Sequence, residues 1–181
     1  YKDVWFAYNK EEWVLKGIGF ELKEGETLAI VGATGSGKTT IINTLSRFYE
    51  LNNGIIEIDG INHEEYPLVE LRKNIAVVLQ DVFLFSDTIL NNITLNEPSI
   101  SEEDVIRASK EVGVHDFIEK LPGGYNYNVQ ERGAVLSAGQ RQLIAFLRAY
   151  VTNPKILVLD EATSSIDTDT EEAIQAAIQK L

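Results

Sequence analysis

The chain has 181 residues, 44% of them hydrophobic and 24% charged, enough to bury the core of one domain with room for an inserted subdomain. It contains no cysteine, which excludes disulfides and thiolate metal sites, and its net charge of −12 argues against nucleic acid as a partner. No apolar run approaches the ~20 residues that span a bilayer, and no signal-peptide pattern stands at the start. The sequence opens in mid-pattern at Tyr1, has no methionine and stops at Leu181 inside a helical pattern, so it is expected to be a piece of something longer.

Residues 3–8 are rich in strand formers, as is the run from Trp13 to Leu22, and the polar turn at residues 9–12 between them predicts an antiparallel pair. Tyr8 reads in two ways, as a half-buried strand aromatic or as a flat surface on which a base stacks. After a second turn at residues 23–26, the apolar run Leu28, Ala29, Ile30 and Val31 predicts a strand leading into Gly32, Ala33, Thr34, Gly35, Ser36, Gly37, Lys38 and Thr39. That stretch matches G-x-x-x-x-G-K-[ST], and the strand, glycine loop and helix order is the context a phosphate loop requires. Glycines let successive backbone N–H groups converge on phosphate oxygens, and the helix start adds unpaired N–H groups and the positive end of its dipole. Lys38 would reach the β- and γ-phosphates, and the Thr39 hydroxyl suits Mg²⁺, a hard cation that prefers oxygen.

Ile41, Ile42, Leu45 and Phe48 fall on helical spacing and are expected to form a core face, with residues 51–54 ending the helix. Residues 55–60 read as a short strand closing in a turn. His63, flanked by Glu64 and Glu65 with no cysteine or second histidine nearby, reads as a solvated surface residue. Residues 68–72 look like a short helix. Ile75 to Leu79 read as a buried strand ending in Gln80, which is a turn amide or, at the carboxyl end of a strand in an open α/β sheet, a site residue.

From residue 83 to 121 the pattern changes to short helices, with Ser101 ahead of Glu102, Glu103 and Asp104 marking a helix start. Residues 121–127 form a loop, so the stretch reads as a helical insertion. Leu136, Ser137, Ala138, Gly139 and Gln140 open a further helix whose buried face is Leu143, Phe146, Leu147 and Tyr150. Ser137 is either an ordinary N-cap or, with Gly139, an anion donor. Asn153 and Pro154 stop that helix, and Ile156 to Leu159 suit a fully buried parallel strand. Asp160 and Glu161 at its end need a cation to offset their burial, which Mg²⁺ at the phosphate loop supplies. Asp160 would hold the metal, and Glu161 would polarise a water for in-line attack on a γ-phosphate. Residues 162–167 read as a polar loop and residues 171–181 as an amphipathic helix.

With these pieces in order, the chain resembles the nucleotide-binding domain of ATP-binding cassette transporters, and more narrowly the exporter type found in multidrug and lipid exporters. The resemblance runs from about Val4 to the last residue. It rests on Tyr8 as the adenine-stacking position, the phosphate loop, Gln80, the signature Leu136 to Gln140 with Arg141 and Gln142, the strand ending in Asp160 and Glu161, and Ser164 to Asp167. The run from Val78 to Phe85, and Glu131, Arg132 and Gly133 before the signature, are exporter-like, the latter lying in exporters near the membrane domain's coupling helices.

The resemblance implies an α/β P-loop NTPase with a mostly parallel core sheet, an N-terminal antiparallel β-subdomain and an inserted helical subdomain. Residues 1–83 and 153–181 would form the nucleotide-binding core, and residues 84–152 the helical subdomain ending in the signature helix. ATP and Mg²⁺ are the implied ligands, held by Tyr8, Gly32, Thr34, Gly35, Ser36, Gly37, Lys38, Thr39, Thr40, Gln80, Gln140 and Asp160, with Thr39, Gln80 and Asp160 toward the metal. Lys38, Gln80 and Glu161 would carry hydrolysis. Ser137 and Gly139 would act in trans, each ATP lying between the phosphate loop of one subunit and the signature of another.

The partners implied are a second nucleotide-binding domain and transmembrane domains, at the cytoplasmic face of the cell membrane, with no nucleic acid. Ala138 and Gln130 stand where the family usually has glycine, and Phe146 and Leu147 replace a smaller pair. The family's switch histidine would lie beyond Leu181, since neither His63 nor His115 has its place. The competing readings are a soluble cassette ATPase acting on nucleic acid or ribosomes, opposed by the acidic charge, and a non-hydrolysing regulatory module, opposed by the Asp160 and Glu161 pair.

Overall fold

The structure is a computed structural model that describes residues 1–10, 12–160, 172, 176 and 178. By internal contact the chain divides into two compact units, Tyr1–Lys73 and Asn74–Leu181.

In the first unit the expected antiparallel sheet is present. Strand β1 (Lys2–Ala7) lies between β2 (Trp13–Ile18) and β3 (Asn53–Ile55), antiparallel to both. Alternation puts Val4, Phe6 and Leu15 on the inner face, where with Ile56 they form a small core covered by Ile41 and Leu45 of α1 (Lys38–Leu45). Gly54 does not end a helix, as the sequence predicts, but sits in β3 with φ of 86°. A Cβ there would lie 2.2 Å from the Asp3 carbonyl oxygen, so the approach of β3 to β1 requires glycine. Strands β4 (Glu57–Ile58) and β5 (Ile61–Asn62) form a hairpin whose two loop residues, Asp59 and Gly60, both have positive φ, the backbone of a type I′ turn.

Three further expectations for this unit are corrected. Residues 28–31 form no assigned strand and Val31 is 89% exposed. An apolar run reports the wish to be buried, but a strand exists only where an edge is there to pair with it. Phe48 is exposed and packs under the Arg72 guanidinium, 4.7 Å from the ring centroid, because α1 ends at Leu45 and the helical spacing does not reach it. His63 is buried, at 1% exposure, in a single 3-10 turn (His63–Glu65). Its Nε2 lies 3.3 Å from the Thr44 carbonyl oxygen and Nδ1 3.3 Å from Asn62 Oδ1. The local sequence is polar, but the turn folds back on α1. Helix α2 (Leu68–Lys73) closes the unit.

In the second unit β6 (Ile75–Val78) and β7 (Ile156–Leu159) run parallel and in register from Ile75↔Ile156 to Val78↔Leu159. β7 is half-buried along its length rather than fully buried. Helices α3 (Ile89–Thr94), α4 (Glu102–Val112), α5 (His115–Glu119) and α6 (Ala138–Val151) enclose the larger core. At the expected start of α4, Ser101 and Asp104 form a capping box, each side chain accepting from the other's backbone N–H. Phe146 and Leu147 are fully buried in α6, so the larger pair is accommodated. Tyr150 is only half-buried, its hydroxyl donating to Glu111 at 3.0 Å.

A polar hub ties α6 to α3. Asn92, with no exposure, accepts the Phe85 N–H at 2.8 Å and donates to the Phe85 and Thr88 carbonyls, each at 3.0 Å. Arg148 of α6 donates to the Asn92 carbonyl at 2.7 Å, and burial holds the pKa of this guanidinium below its usual value.

Candidate functional site

The phosphate loop bends where its glycines allow. Gly35 has φ of 81° and Gly37 of 99°, both in the left-handed region, and a Cβ on Gly32 would lie 2.5 Å from Ser36 Oγ. Lys38 turns back along the loop, its Nζ donating to the Gly32 carbonyl at 2.8 Å and the Ala33 carbonyl at 3.3 Å. Gly37 caps α1 without a side chain, and no acidic residue stands in the first turn, so the dipole at the helix start is unopposed from within the helix. Thr39 is exposed at this end, while Thr40 is buried.

Tyr8 follows β1 directly and is half-exposed. Its hydroxyl lies 3.2 Å from Thr40 Oγ1, which brings the predicted base-stacking residue onto the helix that the phosphate loop starts. Sequence reasoning missed two neighbours. Asn43 Nδ2 donates to the Tyr8 hydroxyl at 3.4 Å, and the Tyr49 ring meets Tyr8 edge to face with centroids 5.0 Å apart. Asn43 was findable, since it lies three residues after Thr40 and so on the same face of α1. For Tyr49 the sequence offers no signal.

In the second unit, Gln80 lies two residues beyond the end of β6 and Asp160 directly follows β7. Because the strands are parallel and neighbours, both residues stand at the same carboxyl edge, and the Asp160 N–H donates to the Val78 carbonyl at 2.9 Å. Glu161 and the predicted loop from Ser164 to Asp167 lie outside the described residues.

At α6, Ser137 is an N-cap. Its hydroxyl oxygen accepts the Gln140 N–H at 3.1 Å, and Gln140 Oε1 accepts the Ser137 N–H at 2.9 Å, completing a capping box. The cap uses the oxygen and leaves the Ser137 hydroxyl proton to donate elsewhere. Ser137 and Ala138 are exposed and Gly139 is buried. The loop leading in carries Gln130 at φ 59°, ψ −171°, a conformation that glycine adopts readily, and Gly133, where a Cβ would lie 2.8 Å from Leu84 Cδ1.

Among the described residues no three acidic, histidine or cysteine groups cluster as a metal site. A phosphate-bound Mg²⁺ needs no such cluster, since it keeps waters and takes one or two protein oxygens beside those of the phosphates. Thr39 in the first unit and Asp160 in the second each carry an oxygen of the kind Mg²⁺ accepts. The left-handed turns at Gly35 and Gly37, which L side chains rarely adopt, are the backbone with which a loop can present N–H groups to a polyphosphate.

Residues 15–164 match the family described as ABC transporter. The whole chain is 51% identical to an uncharacterized ABC transporter ATP-binding protein of Bacillus subtilis, of which it covers 30%. It is 49% identical over 183 aligned positions to an ATP-dependent lipid A-core flippase of Haemophilus influenzae, of which it covers 31%. Over 98% of its length it is 48% identical to a probable multidrug resistance ABC transporter ATP-binding/permease protein of Bacillus subtilis, covering 26% of that protein. The chain thus spans about a third or less of the length of these curated relatives. Among solved structures, a bacterial Atm1-family ABC exporter with ATP bound superposes with a TM-score of 0.92 at 41% identity, over 99% of this chain and 31% of that one.

Proposed function

Because the chain belongs to the ABC transporter family, we propose that it is the ATP-binding and ATP-hydrolysing part of a membrane exporter, working at the cytoplasmic face of the cell membrane. One observation carries this reading: a glycine-built phosphate loop, with Lys38 folded over it, in a chain 41% identical to an exporter that holds ATP. The net charge of −12 favours it over a cassette ATPase that acts on nucleic acid.

In this account the loop from Gly32 to Thr39, with Thr34, Gly35, Ser36 and Gly37, wraps the phosphates with backbone N–H groups, and Thr40 continues that wall at the helix start. Lys38 exchanges the Gly32 and Ala33 carbonyls for the β- and γ-phosphate oxygens. Tyr8 receives the adenine on its ring face. Thr39, Gln80 and Asp160 would hold Mg²⁺, which when bound neutralises phosphate charge and polarises the γ-phosphate. Glu161 accepts a proton from the attacking water, and Gln80 orients that water. The parallel strands β6 and β7 suit this division of labour, because they deliver Gln80 and Asp160 to one edge.

Ser137 and Gly139 act in trans on the γ-phosphate of a second copy or a related domain, with Gln140 holding Ser137 as its cap partner. The Ser137 proton, which the cap does not use, is the donor. ATP then joins two such domains head to tail, hydrolysis releases them, and linked transmembrane domains use the cycle. The exporter-like residues 131–133 would lie near those membrane domains, with residues 84–152 acting as the helical subdomain.

The test is Glu161→Gln in the intact protein. ATP binding should persist while turnover falls by about 10²- to 10⁴-fold. Near-normal turnover would remove Glu161 from the role of base, and a wild-type protein that binds no ATP would overturn the reading as a whole.

A further inference from the structure

Tyr8 stands in a triangle of rings. Phe6 meets it at 4.9 Å and 88°, Tyr49 meets it at 5.0 Å and 88°, and Phe6 and Tyr49 lie 5.6 Å apart. Phe6 is buried in the core of the first unit, while Tyr8 and Tyr49 stand at its rim, 48% and 45% exposed. Edge-to-face contact is the arrangement that ring quadrupoles favour, so the two neighbours hold the plane of Tyr8 as well as its position.

The far end of Tyr8 is held too. Thr40 Oγ1 and Asn43 Nδ2, one turn apart on α1, both reach its hydroxyl, at 3.2 and 3.4 Å. The stretch that carries Tyr49 is in turn fastened to β1. Asn52 Oδ1 accepts the Ala7 N–H at 2.8 Å, and the Asn52 N–H donates to the Trp5 carbonyl at 3.1 Å. A half-exposed tyrosine has two side-chain torsions to fix, and here each end is fixed from a different segment of chain.

Resting on the reading of Tyr8 as the residue that stacks on the base, we propose that Tyr49 and Asn43 are positioning residues for nucleotide binding. They hold Tyr8 in its stacking attitude before ligand arrives, so that base affinity is gained without ordering a loose side chain. Because Thr40 and Asn43 lie on the helix that the phosphate loop opens, the platform for the base is tied to the same element that receives the phosphates. Tyr49 acts only through Tyr8, and its loss touches the base and not the polyphosphate.

Equilibrium binding to the intact protein tests this with two probes, ATP and inorganic tripolyphosphate, each with Mg²⁺. Tyr49→Ala should weaken ATP about five- to tenfold, in line with the loss of one aromatic pair, and leave tripolyphosphate within about twofold. Asn43→Ala should weaken ATP by about two- to threefold with the same selectivity. In a Tyr8→Ala background, Tyr49→Ala should add nothing, because the residue it positions is gone. Tyr49→Phe, which keeps the ring, should bind ATP like wild type.

Unchanged ATP affinity in Tyr49→Ala would overturn the proposal, and so would an equal loss for both probes, or an additive effect in the Tyr8→Ala background. Failure of the wild-type protein to bind ATP would instead defeat the nucleotide reading on which this one rests.

Discussion

Two helix starts in this chain meet the same physical problem in opposite ways. The first turn of any helix exposes N–H groups with no partner inside the helix. At α6 the chain answers from within, as Ser137 and Gln140 satisfy each other's backbone in a complete capping box. At α1 the cap is Gly37 in a left-handed conformation, with no capping side chain and no acidic residue in the first turn. The helices differ in support as well. α6 has 14 residues and buries Leu143, Ile144, Phe146 and Leu147, whereas α1 has eight and its buried side chains are Thr40 and Thr44. A helix start that closes on itself has its own backbone satisfied without a ligand, whereas one held open by glycine leaves N–H groups able to receive a charge that arrives with one.

Gly37→Ala should break the open start with the largest effect. The new Cβ would meet Leu15 Cδ2 at 3.1 Å and Val14 Cγ1 at 3.3 Å on a residue with φ of 99°. Denaturant unfolding should show a loss of about 1–3 kcal/mol, and ATP titration a loss of binding beyond that. Unimpaired ATP binding would mean that the left-handed start is not what receives phosphate.

Ser137 separates scaffold from chemistry at the closed start. Ser137→Ala should lose about 1 kcal/mol of stability with the cap. Ser137→Asp keeps a good cap but, in the proposed account, would set a negative charge toward the neighbour's γ-phosphate. It should unfold like wild type and yet hydrolyse ATP at least tenfold more slowly. Full activity in Ser137→Asp would reduce Ser137 to a cap.

The loop entering α6 is less relaxed than the cap it leads to, because Gln130 occupies a backbone region in which almost only glycine is found. Relief of about 1–3 kcal/mol of strain outweighs the roughly 0.5–1 kcal/mol that glycine loses in chain entropy, so Gln130→Gly should raise the melting temperature. A lower melting temperature would show that the Gln130 side chain contributes more than its backbone costs.

The smallest effect belongs to His63, packed under α1. Burial holds its pKa below the ordinary 6.5, outweighing the Thr44 carbonyl and Glu64, which raise it, while Arg47 lowers it further. The unfolded chain therefore takes up a proton below about pH 6.5 that the folded chain refuses, so stability is full above that pH and declines as pH falls toward the folded value. Unfolding at pH 7.5 and 5.5 should show this decline, and His63→Gln should flatten it.

What the sequence made legible is local. Ser101 with Asp104, the glycines of the phosphate loop, and the turn at Asp59 and Gly60 are decided by residues within a few positions of one another, and all are present in the structure. What it hid is set at long range. His63 is buried by a carbonyl 19 residues away, Gly54 is required by the backbone of Asp3, and Tyr8 is flanked by Tyr49. The run at residues 28–31 misled for the same reason, since hydrophobicity is a property of a segment and strand pairing a property of two.

The most direct test of the account is a cross-link between the two helix starts of different copies. The chain has no cysteine of its own, so Ser36→Cys in one copy and Ala138→Cys in another, both with Glu161→Gln, place one thiol at each start. After the two are mixed and oxidised, ATP with Mg²⁺ should produce an intermolecular disulfide that is absent without nucleotide. A cross-link indifferent to ATP, or none at saturating ATP in a protein shown to bind it, would contradict the claim that the open start of one copy and the closed start of another share a nucleotide.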